Sequence, residues 1–154
     1  MEHIAINSFD ELQSIQSGKL YKLECDIDCH NNKLSKLCSD FSGLIDGNGF
    51  IIKNLIIYES ELFTDGQPIS MFYTMKRSVV KNLRIENLKI EIPKSVYVPD
   101  VAALCTKASD TLFENVYVEA EAIGVEKLPL VYDSNNCEYV NVEVSKNMIF
   151  IKYN

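Results

Sequence analysis

Asp26, Asp28 and His30 lie within five residues of one another and supply the chain's densest set of proton-transfer and metal-ligating groups. Two carboxylates at i and i+2 on a strand share one face, roughly 7 Å apart. That separation suits an inverting pair, in which one acid protonates a leaving group and the other activates water. Asp46 adds a carboxylate in a turn. Cys25 and Cys29, with His30, would make a zinc site only if the strand broke there. Nucleophilic chemistry has less to work with. The only histidines are His3 and His30, and no Ser or Cys sits in a strand-to-helix elbow. No glycine pattern for phosphates or dinucleotides is present. Asp26 and Asp28 flank Ile27, an expected core residue, so the expectation is framework rather than catalysis: no catalytic residue, no metal and no cofactor.

The elements that position these groups are set by a repeat. Lys53-Asn54-Leu55-Ile56-Ile57 returns as Lys81-Asn82-Leu83-Arg84-Ile85, Glu114-Asn115-Val116-Tyr117-Val118 and Val140-Asn141-Val142-Glu143-Val144. Each copy reads Asn, apolar, variable, apolar, which is strand alternation. Met71, Leu104 and Leu130 each precede an Asn by 11 residues (82 − 71, 115 − 104, 141 − 130). A polar bend lies between. One unit is therefore apolar strand, corner, Asn-led strand. The Asn spacings are 28, 33 and 26 residues (54 to 82, 82 to 115, 115 to 141), a period typical of solenoids and arrays. No helical periodicity follows Phe41. A leucine-rich reading fits only once, at Val80-x-x-Leu83-x-Ile85-x-x-Leu88.

Asp46-Gly47-Asn48-Gly49-Phe50-Ile51-Ile52-Lys53-Asn54-Leu55 resembles the rung motif of right-handed parallel β-helix repeats in adhesin-like and GLUG-type proteins. Ser70-Met71-Phe72, Ala103-Leu104-Cys105 and Pro129-Leu130-Val131 stand where that family carries Gly-Leu-Phe, without its glycine. The resemblance covers Tyr21 to Val144. It implies an all-β fold: a short right-handed parallel β-helix of about four to five rungs over residues 21–151, in one domain spanning 1–154. It bears on fold more than on function. In polysaccharide-cleaving β-helix enzymes, acids, bases and often calcium ligands line a long groove; no such set recurs at one register here.

Residues 8–17 read as an N-terminal capping helix. Ser8-Phe9-Asp10-Glu11 has the capping-box form, Phe9, Leu12 and Ile15 share a face, and Gly18 is the stop. Tyr21 to Cys29 reads as the first strand, with Leu23, Cys25, Ile27 and Cys29 pointing inward. Cys25 and Cys29 would then sit roughly 13 Å apart, beyond disulfide reach, as reduced core thiols. That suits a cytoplasmic protein. No apolar run approaches the ~18 residues of a membrane span, and the N-terminus has no signal-peptide pattern.

The net charge of −7 is uneven: Asp100 to Glu143 carries nine acids and two bases. Such a surface repels nucleic acid and attracts a basic partner. The Asn column (Asn54, Asn82, Asn115, Asn141) is expected to be structural, its amides hydrogen-bonding between buried rungs. In phase with it, Ile56, Arg84, Tyr117 and Glu143 are expected to point outward, with Glu119 and Glu121 continuing that side. Two insertions are candidate contact loops: Glu59 to Pro68, with Glu61, Phe63 and Asp65, and Pro93 to Pro99, with Tyr97. Ile149, Phe150 and Ile151 form a candidate self-association edge. The expectation is a non-catalytic binding protein for a basic protein surface, one form of it an inhibitor imitating nucleic-acid charge. The alternatives are a carbohydrate-binding or carbohydrate-active module, and a structural unit that dimerises through its C-terminal edge.

Overall fold

The computed structural model describes residues 2–58, 68–92, 100–122, 125 and 128–146. Tyr97, the segments 59–67 and 93–99, and Ile149, Phe150 and Ile151 lie outside the described residues. The chain is all-β, with one short helix among the described residues. Its strands are β1 (Ile4–Ile6), β2 (Lys19–Leu23), β3 (Ile27–Asp28), β4 (Lys33–Leu34), β5 (Cys38–Phe41), β6 (Gly43–Asp46) and β7 (Ile51–Lys53). They continue with β8 (Ile56–Tyr58), β9 (Phe72–Lys76), β10 (Val79–Glu91), β11 (Cys105–Ser109), β12 (Leu112–Ala122), β13 (Val131–Asn135) and β14 (Glu138–Lys146).

All pairings are parallel, in two sheets. The larger runs β1-β2-β6-β10-β12-β14, and the smaller runs β13-β11-β9-β5. Each later repeat gives one strand to each sheet. Phe72, Cys105 and Val131 stand in register, and so do the residues flanking Asn82, Asn115 and Asn141. The 11-residue offset therefore lines up both strands of the unit. The 13 residues of β10 cover β6, β7 and β8 in succession. Residues 79–91 are thus one strand, with none of the non-strand half that a leucine-rich repeat would need.

Inward positions form columns. Ile27, Ile52, Ile85, Val118 and Val144 are register partners, as are Leu34, Ile57 and Ile90. Aromatics fill the space between sheets: Phe41 lies 6.4 Å from Tyr21 and 5.6 Å from Phe72, ring centre to ring centre. Cys29 and Cys105 are buried among these apolar groups, which pushes their thiols up to about 12. Thiols held protonated in this way are poor nucleophiles.

The N-terminal segment differs from the sequence expectation in three respects. The helix α1 spans only Phe9–Leu12, not 8–17. Half of the capping box forms: Ser8 Oγ accepts from the Glu11 amide at 3.1 Å, while Glu11 Oε1 accepts from the amide of Asn7, one residue before the N-cap, at 3.1 Å. Beyond Gln13 the backbone finds other partners, and the Gln16 amide donates to the Tyr21 hydroxyl at 2.8 Å. Second, the first strand is β1, which pairs with β2 and extends the larger sheet by one. Third, the expected strand from Tyr21 to Cys29 breaks between Leu23 and Ile27, and Cys25 is only half-buried.

Gly47 is closely approached by the backbone of the next repeat. A Cβ there would stand 2.2 Å from the Asn82 carbonyl oxygen and 2.6 Å from Leu83 Cα. Gly49 has φ +82° but faces open space. Gly49→Ala should therefore cost about 1–2 kcal/mol, the price of a left-handed Ala. Gly47→Ala should cost more, since backbone must move in two repeats. Urea denaturation of both variants checks this ordering; equal midpoints would contradict the close stacking of residues 47 and 82.

Candidate functional site

Asn54, Asn82, Asn115 and Asn141 all adopt left-handed backbone, with φ between 51° and 61°. Asn tolerates this region better than other non-glycine residues because its short side chain can hydrogen-bond locally. The amides hand hydrogen bonds along the stack. Asn141 Nδ2 donates to Asn115 Oδ1 (2.9 Å), Asn115 Nδ2 to Asn82 Oδ1 (3.1 Å) and Asn82 Nδ2 to Asp46 Oδ1 (3.4 Å).

Asn54 belongs to a second ladder, which corrects the single-column expectation. Asn87 Nδ2 donates to Asn54 Oδ1 at 2.7 Å, and Asn54 Nδ2 donates to Asp28 Oδ1 at 3.0 Å. Residue 54 stacks on Asn87, 33 positions later, and the 28-residue spacing to Asn82 has no structural meaning. Neither ladder is deeply buried: Asn115 and Asn141 are exposed and Asn82 is half-buried.

Each ladder starts on an Asp. Asp28 Oδ1 also accepts from the His30 amide (2.9 Å), and Asp46 Oδ1 from the Asn48 amide (2.8 Å). His30 and Asn48 are themselves left-handed, so the two corners are built alike. Asp26 Oδ1 accepts from the Ile51 amide at 2.9 Å. The three carboxylates that suggested proton transfer are engaged in corners, and Asp26 lies outside the strand that carries Asp28. The Asn54 amide and the His30 N–H hold the Asp28 carboxyl below its ordinary value of 3.8. No cluster of three metal-ligating side chains occurs among the described residues.

Beside the first ladder, Arg84, Tyr117 and Glu143 stand in register on neighbouring strands of the larger sheet. The Arg84 guanidinium carbon lies 4.4 Å from the Tyr117 ring centre, and Nε lies 3.5 Å from Glu86 Oε1. A ring and a carboxylate thus fix the cation's direction. The earlier member of this row is Ile51. Ile56 pairs with Lys33 and Lys89 instead, and is buried. Arg84, Tyr117 and Glu143, with Asn48, Gly49, Asn82, Asn115 and Asn141, line a groove of about 520 Å³.

Charges on the outer face of this sheet alternate through the early repeats. Lys22, Asp46, Lys81 and Glu114 form one register row, and Asp28, Lys53 and Glu86 another. Opposite charges across strands contribute roughly 0.2–1 kcal/mol each. The first row reaches Glu114 on β12 and ends there, with Val140 opposite it on β14. Glu119 and Glu121 follow Tyr117 on its side of β12, alternating with buried Val118 and Ala120. Glu119 pairs in register with Ser145; Glu121 has Lys89 on the neighbouring strand. Among the described residues, Glu119, Glu121 and Glu143 are in no ion pair; those present are His30–Asp28, Lys33–Glu91 and Arg84–Glu86.

Sequence reasoning missed a second groove, of about 370 Å³, on the smaller sheet. Thr74, Lys107 and Asp133 form one row of it, and Lys76, Ser109 and Asn135 another. Its signal was present: these rows fall three and five residues after Met71, Leu104 and Leu130. Asn87, the other omission, opens a second Asn-Leu pair inside β10.

No family model matches the chain, and no curated protein or solved structure is significantly similar to it. Among the described residues, no helix is long and apolar enough to cross a membrane.

Two measurements check the corners. Asn115→Gly keeps the left-handed backbone but deletes two amide links, and should lower stability by about 1–3 kcal/mol; an unchanged melting midpoint would refute the ladder. Asp28 has a depressed folded-state pKa, so its contribution is present above pH 3.8 and is lost as pH falls through the folded value. Asn54→Ala should raise the Asp28 titration midpoint seen by carboxyl NMR. No movement would show that the amide is not its partner.

Proposed function

We propose that the two parallel sheets are faces of a right-handed β-solenoid, closed at its N-terminal end by α1, and that the protein is a non-catalytic cytoplasmic binding module. Its partner is a protein with a basic surface, and the contact face is the Arg84–Tyr117–Glu143 row with Glu119 and Glu121. The in-register parallel strands and the resemblance of the Asp46–Leu55 run to β-helix rungs support the solenoid. One observation carries the binding reading. The alternating row of the early repeats ends at Glu114, and Glu119 and Glu143 face no basic residue in the register of β12 and β14. Glu119, Glu121 and Glu143 share one outer face with no ion pair among the described residues.

Carboxylates that neutralise no neighbour do little for stability, and they focus potential toward a cation-bearing partner. Inhibition of a nucleic-acid-handling protein is one form this takes, with the acid rows occupying the partner's phosphate-binding surface. The amide-lined groove favours a second reading, carbohydrate binding, because Tyr117 and Glu143 adjoin the Asn82, Asn115 and Asn141 side chains.

The experiment compares wild type with a Glu119→Lys/Glu121→Lys/Glu143→Lys variant in capture from native lysate, over a salt series. The protein-binding reading expects a partner held by wild type, weakened by salt and lost by the variant. The same partner retained by the variant, or a salt-insensitive glycan ligand, would overturn it.

A further inference from the structure

Ile4, Tyr21, Ile45, Val80, Phe113 and Tyr139 are successive register partners across the six strands β1, β2, β6, β10, β12 and β14. The four inner members are at most 4% exposed, whereas Ile4 and Tyr139 are each 44% exposed. One apolar column therefore runs through the larger sheet and ends in an exposed side chain on each edge strand. At the far end the Tyr139 ring lies flat on Phe113, with centres 5.2 Å apart and planes 8° apart. Its other face has no ring against it among the described residues. At the near end Ile6, Leu12 and Ile15 are buried together in the core, while Ile4 stands outside it.

We propose that copies of this chain associate head to tail, with β14 of one copy pairing in parallel with β1 of the next. Parallel sheets make this geometry available. Both edge strands run in the same sense, so a second copy translated along the stack meets the first without being turned over. An edge strand presents backbone donors and acceptors that template such an addition. Placing the second copy's Ile4 on Tyr139 continues the column. The same register sets the second copy's Ala5 against Val140, which is 49% exposed. It sets the second copy's His3 against Glu138, both exposed, so a ring N–H donor meets a carboxylate acceptor. A two-fold arrangement of β14 on itself would leave Ile4 uncovered and would set acidic strand against acidic strand. A heterologous contact of this kind does not close by itself, so it builds short linear assemblies. The inference rests on the register of the sheet and is independent of the partner proposed for the acidic face.

The test uses light scattering coupled to size exclusion, across a wide range of concentration. Wild type should rise above the 17.5 kDa monomer mass with concentration. Ile4→Lys and Tyr139→Lys should each stay monomeric, since each blocks one end. An equimolar mixture of the two should form a complex of twice the monomer mass that grows no further, because one intact head and one intact tail remain. That complex also reports that both variants are folded. Should Tyr139→Lys fail to fold, Val140→Lys blocks the same edge. A wild type that stays monomeric overturns the proposal. Association lost in Tyr139→Lys but kept in Ile4→Lys also overturns it, in favour of a two-fold pair. Association that survives both substitutions places the contact elsewhere and overturns it as well.

Discussion

The amide-to-amide hydrogen bond between left-handed asparagines is the constraint on which this structure depends. A chain that stacks parallel strands must turn at each corner without leaving backbone groups unmatched. A left-handed residue makes the turn, at about 1–2 kcal/mol for most side chains. Asn reduces that cost and adds a link to the neighbouring repeat. In each link the Nδ2 donates toward the N-terminus and the Oδ1 accepts from the C-terminal side. Each ladder must therefore begin on an acceptor that needs no partner behind it. Asp28 and Asp46 are those acceptors, and each also takes up a local backbone amide. The residues with the most catalytic appearance in the sequence are in this way the foundations of the corners.

Register at the corners fixes what the faces carry. Because the ladders lock residue against residue, inward positions become columns and outward positions become rows. In the early rows opposite charges meet across strands. The last such pairs are Lys81–Glu114 and Lys89–Glu121, and Glu119, Glu121 and Glu143 remain on one side near an Arg84 held by Tyr117 and Glu86. The smaller sheet sets Lys76 and Lys107 with Asp133 around its own groove.

Much of this was legible in the sequence, and the failures have physical causes. The offset from Met71, Leu104 and Leu130 to the next Asn gave the register of three repeats correctly, because no insertion falls inside that span. The row of Arg84, Tyr117 and Glu143 followed from it. The first repeat was misaligned because β10 contains two Asn-Leu pairs, and Asn54-Leu55 matches both Asn82-Leu83 and Asn87-Leu88. Only the passage of Asn82 over Gly47 decides between them, and that is a contact between distant residues. Strand β1 is three residues long, too short for alternation to show. The helix stopped early because Tyr21, a strand residue, takes the Gln16 amide. Propensity along a single segment cannot anticipate such a partner.

A pair of double-mutant cycles tests the central claim most directly. Asn54 should couple to Asn87 through their direct hydrogen bond, by about 0.5–1.5 kcal/mol of stability. Asn54 and Asn82, which share no bond, should be additive. Coupling between 54 and 82 with none between 54 and 87 would contradict the two-ladder account and the strand register built on it.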